Sequence, residues 1–345
     1  MSATSLSLPP IVLAPLGGGP GTAELAAAVS AAGALGFVGT AYMTPQQILD
    51  AARRVRELTD RPFGLNLFAG EWPRPKSDDP SKAIALLAPF HARLGLPEPS
   101  VPEVPPNPFP AQLEAVLQAR PAAFSVTFGI PSKDEIDSLR ARGIAVYGTA
   151  TTASEAVLLA EAGVDGVIAQ GAEAGGHRGT FAVSPEEGLI PTLRLVAEVR
   201  QAVKIPVLAS GGIMDGRDLR AALDAGAVAA QIGTAFLGCP EAGTSPAYRA
   251  ALVAAKTDRT ALTRVFSGRL ARGLRNQMIE AGERDPDGIL PYPLQNQFTR
   301  PMRQAAAQKG DAGALSLWAG QGVARLRPMP AAQLVATLLQ ELQEA

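Results

Sequence analysis

The chain contains few of the residues that build cross-linked or metal-dependent proteins. Among its 345 residues there is one cysteine, Cys239, and there are two histidines, His91 and His177. A single cysteine excludes an internal disulfide framework and a cysteine-rich metal site. Two distant histidines, without an H-E-x-x-H motif or clustered carboxylates, supply too few ligands for catalytic zinc. We therefore predict no metal and a reducing, cytoplasmic environment.

Strong charge and long apolar runs are also missing. The formal net charge is −1 and only 18% of the residues are charged, which argues against nucleic acid or an anionic membrane surface as a partner. Residues 1–10 lack the basic and apolar regions of a signal peptide, and the apolar stretch 25–38 is short and interrupted by Gly33 and Gly36. We expect a small-molecule partner and no membrane association, whereas the oligomeric state stays open.

The sequence is rich in alternating strand and helix patterns. Capping-box motifs begin at Thr44, Ser132, Thr152 and Ser184, and each predicts a helix start after an apolar run. These runs are nearly continuous, as in parallel strands that are buried on both faces. Eight such strands are predicted, at residues 11–16, 37–41, 63–68, 122–128, 145–149, 166–170, 206–209 and 228–232. The pattern predicts an α/β fold, a (β/α)8 TIM barrel, with an open doubly wound sheet as the alternative.

Two stretches depart from this repeat. Residues 71–110 are rich in proline and contain one helical patch at 81–94, on which His91 is expected as a partly exposed helix residue. Residues 240–325 are helical in pattern and too long for one crossover, so they predict a second, smaller, mostly helical domain after strand eight. The barrel then comprises 1–239 and 326–345, and it ends with a helix at 331–342.

In a TIM barrel the active site lies at the carboxyl ends of the strands, and phosphate binds the loops after strands seven and eight. Here those loops are Ser210-Gly211-Gly212-Ile213 and Gln231-Ile232-Gly233-Thr234, which can offer backbone N–H groups to an anion. The alternative is that they are simply tight turns.

Two amide side chains, Asn66 and Gln170, end the third and sixth strands. They suit a flat heterocycle such as a flavin, although a capping role for Asn66 and a buried structural role for Gln170 are the alternatives.

The segment 169–179 follows the sixth strand and places four glycines around His177. Glycine lets the backbone approach a ligand closely, and imidazole titrates near neutrality. An active-site loop is the favoured interpretation, and a surface turn is the alternative. No G-x-S-x-G motif accompanies it, so a serine hydrolase is not supported.

Taken together, these motifs resemble the nitronate monooxygenases, formerly called 2-nitropropane dioxygenases, of the class I type. The resemblance runs from Ile11 to near Leu339, and Leu16 stands where the family usually has methionine, a volume-conserving change. The motifs that carry it lie at residues 14–19, 64–68, 169–179, 210–213, 231–237, 266–269, 271–274, 292–293 and 318–322.

The resemblance implies an FMN-dependent TIM-barrel enzyme that oxidises alkyl nitronates, such as propionate 3-nitronate, with O2 to a carbonyl compound and nitrite. It implies His177 as the catalytic base or hydrogen-bond donor. Tyr292 and Gln321 are expected to border the substrate, unless Tyr292 is simply a packed tyrosine. The implied FMN contacts are Ala14, Pro15, Leu16, Asn66, Gln170, Gly175, Gly176, Gly211, Gly212, Gln231, Ile232, Gly233 and Thr234.

Three other functions fit the same residues. An FMN-dependent enoyl reductase and an NAD(P)H:quinone reductase share the barrel and the glycine-rich histidine loop, and a non-catalytic flavin-binding protein is also compatible with them. The physiological nitronate, and detoxification as the role in the cell, are not determined by the sequence.

Overall fold

Eight parallel strands form the centre of the protein. The computed structural model describes residues 6–70, 79–103, 106–256 and 259–345. Their bounds are β1 Ile11–Leu13, β2 Gly36–Gly39, β3 Phe63–Phe68, β4 Ala123–Thr127, β5 Ala145–Ala150, β6 Gly166–Gln170, β8 Val207–Ser210 and β9 Ala229–Ile232, while the short β7 Gly176–His177 belongs to another sheet. The order of the strands around the barrel is β1, β9, β8, β6, β5, β4, β3, β2.

Hydrogen bonds between β1 and the residue before β2 close the ring. The Leu13 N–H donates to the Leu35 carbonyl at 2.9 Å, and the Leu35 N–H donates to the Ile11 carbonyl at 3.1 Å. Inside the ring, Phe37, Tyr147 and Ile168 belong to a buried apolar cluster that fills the barrel. The predicted TIM barrel is confirmed, and its interior is a packed core rather than a pore.

Helices cover the strands and build the rest of the chain. They are α1 Ala23–Ala31, α2 Pro45–Leu58, α3 Ser81–Leu94, α4 Phe109–Ala119, α5 Lys133–Arg140, α6 Ala153–Ala162, α7 Thr192–Ala202, α8 Gly216–Asp224, α9 Pro246–Ala254, α10 Gln277–Arg284, α11 Leu294–Phe298, α12 Arg300–Lys309 and α13 Ala331–Glu344. Short 3₁₀ helices lie at Thr234–Gly238, Pro286–Gly288, Ala312–Ala314 and Gln321–Arg325. Among the residues described, no helix is long and apolar enough to span a membrane.

The predicted helix starts are correct at three of the four motifs. Thr44 and Ser132 form reciprocal capping boxes, and Thr152 caps α6 through the Glu155 N–H. The predicted start at Ser184 is wrong, because its box closes only a turn and α7 begins at Thr192. A helix continued from Ser184 would need an N–H group at residue 191, which is a proline.

Residues 240–325, called the second segment below, add helices and two strands to the barrel. The strands β10 (Thr260–Thr263) and β11 (Ala271–Leu274) were not predicted. They pair antiparallel with each other, and β11 also pairs with the two-residue strand β7 (Gly176–His177) of the barrel loop. This small sheet attaches the second segment to the carboxyl end of the barrel. The predicted domain limits themselves stay a prediction.

The proline-rich excursion packs on the second segment. Residues 71–78 and 104–105, with Pro73, Pro75 and Pro105, lie outside the described residues. The apolar face of α3 joins the core of the second segment. The expectation of a partly exposed His91 is therefore wrong: its side chain is 7% exposed, because α3 is covered by this packing.

Candidate active site

A large cavity opens at the carboxyl ends of the barrel strands. Its empty space is about 1220 Å³, including the part that is open to solvent. The strand ends contribute the polar lining residues Asn66, Ser125, Thr127, Thr149, Gln170, Ser210 and Gln231.

Glycine turns form one wall of this cavity. Gly211 and Gly212 follow β8 with φ angles of 128° and 73°, which L-residues with a side chain rarely adopt. A Cβ atom at Gly233, after β9, would lie 3.3 Å from the Ala14 Cβ. Because no side chains intervene, a ligand can reach the backbone of both turns, which is the arrangement that phosphate sites of barrels use.

All the FMN contacts implied by the resemblance line this one cavity, and so does His177. Tyr292 and Gln321 are not among its lining residues. Tyr292 is 6% exposed, and its ring lies 6.1 Å from that of Phe128. Gln321 begins a 3₁₀ helix, and its N–H donates to the Glu173 carbonyl at 3.0 Å. Whether either residue meets the substrate stays a prediction.

The amide side chains are used in three different ways. Asn66 Nδ2 donates to the carbonyl and to the hydroxyl oxygen of Ser125, at 3.1 and 3.0 Å. Gln170 braces the histidine loop, since Nε2 donates to the His177 carbonyl at 2.9 Å and Oε1 accepts from the Gly179 N–H at 2.8 Å. Gln231 Nε2 is buried without a hydrogen-bond partner in the described part of the chain. Buried donors are normally hydrogen-bonded, so we expect a ligand to supply the acceptor that this N–H group lacks.

Two buried ionic side chains hold the loop that carries His177. The Arg178 guanidinium, 1% exposed, donates to the carbonyls of Gln170 at 2.7 Å and Gly171 at 2.8 Å. Burial lowers the pKa of Arg178 to about 10, so it stays positively charged at neutral pH. Glu155 accepts from the N–H groups of Phe181 and Ala182. The loop is thus fixed at both ends of its backbone.

His177 lies in an aromatic and electropositive surrounding. Its ring centroid is 5.4, 5.8 and 6.3 Å from those of Trp318, Phe128 and Phe68. Burial, and then the positive charges of Arg269 and Arg303, lower the pKa of His177 to about 3. The imidazole is therefore neutral at physiological pH, and its Nε2 lies 2.7 Å from Ser267 Oγ.

Arg269 and Arg303 both place a positive charge near His177. The Arg269 guanidinium stacks 3.9 Å from the centroid of Phe128, and Arg303 donates to the carbonyl and to the side-chain oxygen of Asn296, at 2.8 and 2.9 Å. Burial lowers the pKa of Arg303 to about 10, which leaves it charged. Within the described ranges no carboxylate lies within 4.0 Å of either guanidinium. The site therefore favours an anionic ligand.

Sequence reasoning missed several of these residues. Ser267 and Arg269 belong to the motif 266–269 and Trp318 to the motif 318–322, but neither motif suggested a role for them. Tyr42 and Phe68 also line the cavity. In the described part of the chain, no group of three or more His, Cys, Asp or Glu side chains could hold a metal ion.

The closed parallel barrel, with one ligand cavity at the carboxyl ends of its strands, defines the class of α/β-barrel enzymes. A family model described as nitronate monooxygenase matches residues 2–341. The chain belongs to the nitronate monooxygenase family and is an oxidoreductase, which confirms the resemblance of the motifs. Membership of this family implies a flavin cofactor.

Individual proteins are similar over nearly the whole chain. A nitronate monooxygenase from Pseudomonas aeruginosa is 43% identical, over 97% of this chain and 96% of that protein. The structure of a nitroalkane oxidase from Streptomyces ansochromogenes aligns with a TM-score of 0.90 at 42% identity, covering 97% of this chain and 96% of the other. The structure of FabK from Thermotoga maritima aligns with a TM-score of 0.75 at 28% identity, over 97% and 93% of the two chains.

Proposed function

We propose that this protein uses FMN to oxidise alkyl nitronates, such as propionate 3-nitronate, with O2 to a carbonyl compound and nitrite. The names of the similar proteins from Pseudomonas and Streptomyces, nitronate monooxygenase and nitroalkane oxidase, support this class of substrate. The observation that carries the proposal is the neutral imidazole of His177 near two partly buried cations, in a cavity with an unpaired amide donor.

The residues of the cavity fit FMN. The orphaned donor of Gln231 leaves a place for a polar acceptor of a ligand. In the proposed arrangement the turns at Gly211–Gly212 and Gly233–Thr234 hold the phosphate, and the amides of Asn66 and Gln231 meet the ring. Bound FMN supplies the electron-accepting chemistry that no side chain of the chain provides.

The chain's own residues bind and orient the nitronate. A nitronate carries its negative charge on the nitro oxygens, and the fields of Arg269 and Arg303 attract that charge into the cavity. His177 hydrogen-bonds one of these oxygens. Phe68 and Trp318 line the cavity near the imidazole and exclude water from it, which strengthens these electrostatic interactions.

The test begins with the visible spectrum of the purified protein. A yellow protein whose flavin absorbance falls on anaerobic mixing with a nitronate, and which releases nitrite when air is admitted, supports the proposal. In His177→Asn we expect FMN to stay bound while turnover falls at least about a hundredfold, the low end of what a positioned acid–base or hydrogen-bonding group contributes. Normal turnover in that variant removes the histidine from the mechanism.

The same preparation separates the alternatives. NADH consumption with a crotonyl thioester would identify an enoyl reductase, and NADH oxidation with a quinone would identify a quinone reductase. A protein that binds FMN but turns over none of these substrates would be a flavin-binding protein without this catalysis. A colourless protein that FMN cannot reconstitute contradicts the proposal altogether.

A further inference from the structure

Ser267 is a side chain of the second segment that lies within hydrogen-bonding distance of the imidazole of His177. It is 1% exposed and lies in the turn between β10 and β11. Its Oγ is 2.7 Å from His177 Nε2. The same oxygen is 3.3 Å from the Arg269 nitrogen, from which it accepts, and 3.3 Å from the Arg269 carbonyl oxygen. The hydroxyl of Ser267 thus has two possible acceptors for its single proton.

The distances decide which acceptor the proton takes. Hydroxyl hydrogen bonds to oxygen span about 2.5–3.0 Å, so the Arg269 carbonyl is too far away for a good bond. If Nε2 of His177 carried the proton instead, the Ser267 oxygen would accept from both His177 and the Arg269 N–H. The Ser267 hydroxyl could then donate only to the distant Arg269 carbonyl. The arrangement with the better bonds has Ser267 donating to Nε2.

A neutral imidazole carries one N–H, so Nδ1 of His177 must hold it when Nε2 accepts. Nδ1 has no hydrogen-bond partner among the described residues. It is not fully buried either, because it does not belong to the buried polar atoms that lack a partner. His177 lines the cavity, so an Nδ1 that is not fully buried can meet a ligand there.

We propose that Ser267 is a positioning residue that holds His177 in the Nδ1–H tautomer, so that the imidazole offers a donor to the substrate. The tautomer follows from the contacts of Ser267 with a neutral imidazole, whereas its consequence for the substrate rests on the proposed function.

That consequence concerns which form of the substrate reacts. An Nδ1–H group complements a nitronate oxygen, because it donates to a negative acceptor. It has no free lone pair with which to remove the α-proton of a neutral nitroalkane. The protein therefore takes nitronates already formed in solution, and a nitroalkane reacts only as fast as it ionises outside the site.

The tautomer can be measured without turnover. The chain has only two histidines, so the flavin-loaded protein labelled with ¹⁵N-histidine gives a simple long-range N–H correlation spectrum. His91 is the internal reference, because its Nδ1 lies 2.7 Å from the Pro97 carbonyl oxygen, which can only accept. The variant His91→Gln assigns the signals. We expect both histidines to show the Nδ1–H pattern, and an Nε2–H pattern for His177 overturns the proposal.

Ser267→Ala removes the hydroxyl with little change of volume. We expect the His177 signals to move away from the Nδ1–H pattern, and kcat/KM for a nitronate to fall about tenfold, as for one lost orienting hydrogen bond. Ser267→Thr, which keeps the hydroxyl, restores the pattern. The control Ser245→Ala removes another serine hydroxyl of the second segment, the cap of α9, and leaves the His177 signals unchanged. An unaltered tautomer in Ser267→Ala overturns the proposal.

A substrate comparison tests the consequence separately. A neutral nitroalkane is mixed with the protein at a pH below the pKa of its α-proton, and O2 uptake is followed before ionisation occurs. We expect no uptake beyond the rate of ionisation in solution, and uptake as fast as with the nitronate contradicts the assignment of a donor. If no nitronate is turned over, the proposed function fails, but the tautomer of His177 is still decided by the spectrum.

Discussion

Replacing Glu155 by glutamine converts one oxygen of a carboxylate that links the loop after His177 to Thr151 into an NH₂ group. The Glu155 carboxylate is fully buried, at 0% exposure. One oxygen accepts from the N–H groups of Phe181 and Ala182, at 2.6 and 3.0 Å. The other accepts from the N–H and the hydroxyl of Thr151, both at 2.8 Å. Glu155 therefore ties the start of α6 to the loop that carries His177 and Arg178.

The cost of this change follows from the hydrogen bonds. A glutamine presents one oxygen and one NH₂ group. With the NH₂ group towards the loop, two backbone N–H groups face another donor; with it towards Thr151, only the Thr151 N–H does, because the hydroxyl can turn and accept. Hydrogen bonds to a charged group contribute about 1.5–3 kcal/mol each, so the better orientation predicts a destabilisation of roughly 1.5–3 kcal/mol. Native proteins are stable by only about 5–15 kcal/mol, so Glu155→Gln removes a large fraction of the stability.

The assay is urea unfolding of the flavin-loaded protein, with two further variants. Thr151→Val removes only one of the four hydrogen bonds and should cost about 1–2 kcal/mol, so it keeps the test valid if Glu155→Gln does not fold. Glu187→Gln is the matched control, because Glu187 makes an exposed capping box with Ser184 and should cost less than about 1 kcal/mol. A Glu155→Gln variant as stable as that control would refute the reasoning.

Two further results are expected. Gln231→Leu removes the orphaned amide donor at little change of volume, so FMN titrated by fluorescence should bind about tenfold more weakly, and unchanged affinity would exclude a contact. The pKa of His177 is lowered from 6.5 to about 3 on folding, so the unfolded chain takes up a proton that the folded chain does not. The free energy of unfolding should therefore be fully retained above pH 6.5 and fall as the pH drops towards 3. His177→Asn should flatten this fall in urea unfolding curves, and an identical fall would contradict the low pKa.

The barrel and most of its cavity could be predicted from sequence because both follow from local patterns. Parallel strands buried on both faces leave continuous apolar runs, and their carboxyl ends necessarily meet at one rim. That is why Asn66, Gln170 and Gln231, each in a barrel strand that ends at this rim, line one cavity. Glycine at residues 211 and 212 likewise signals a turn that other residues form poorly.

What the sequence could not predict depends on contacts between distant parts of the chain. Strand β11 pairs with the distant β7 as well as with β10, and Ser267 meets His177 across a separation of 90 residues. Gln170 suggested a ligand contact from its place at a strand end, but both ends of its amide brace the histidine loop. The burial of His91 follows from the packing of α3 on the second segment, which no pattern in α3 reveals.

The position of His177 is shared between the barrel and the second segment. On the barrel side, Gln170 holds its carbonyl. On the other side, His177 pairs with Ala271 in the small sheet, and Ser267 contacts its ring. A Cβ at Gly175 would lie 2.5 Å from the Ala319 carbonyl carbon, so the two parts approach as closely as glycine allows. Because neither part alone fixes the imidazole, the second segment completes the surroundings of His177 rather than merely covering the cavity.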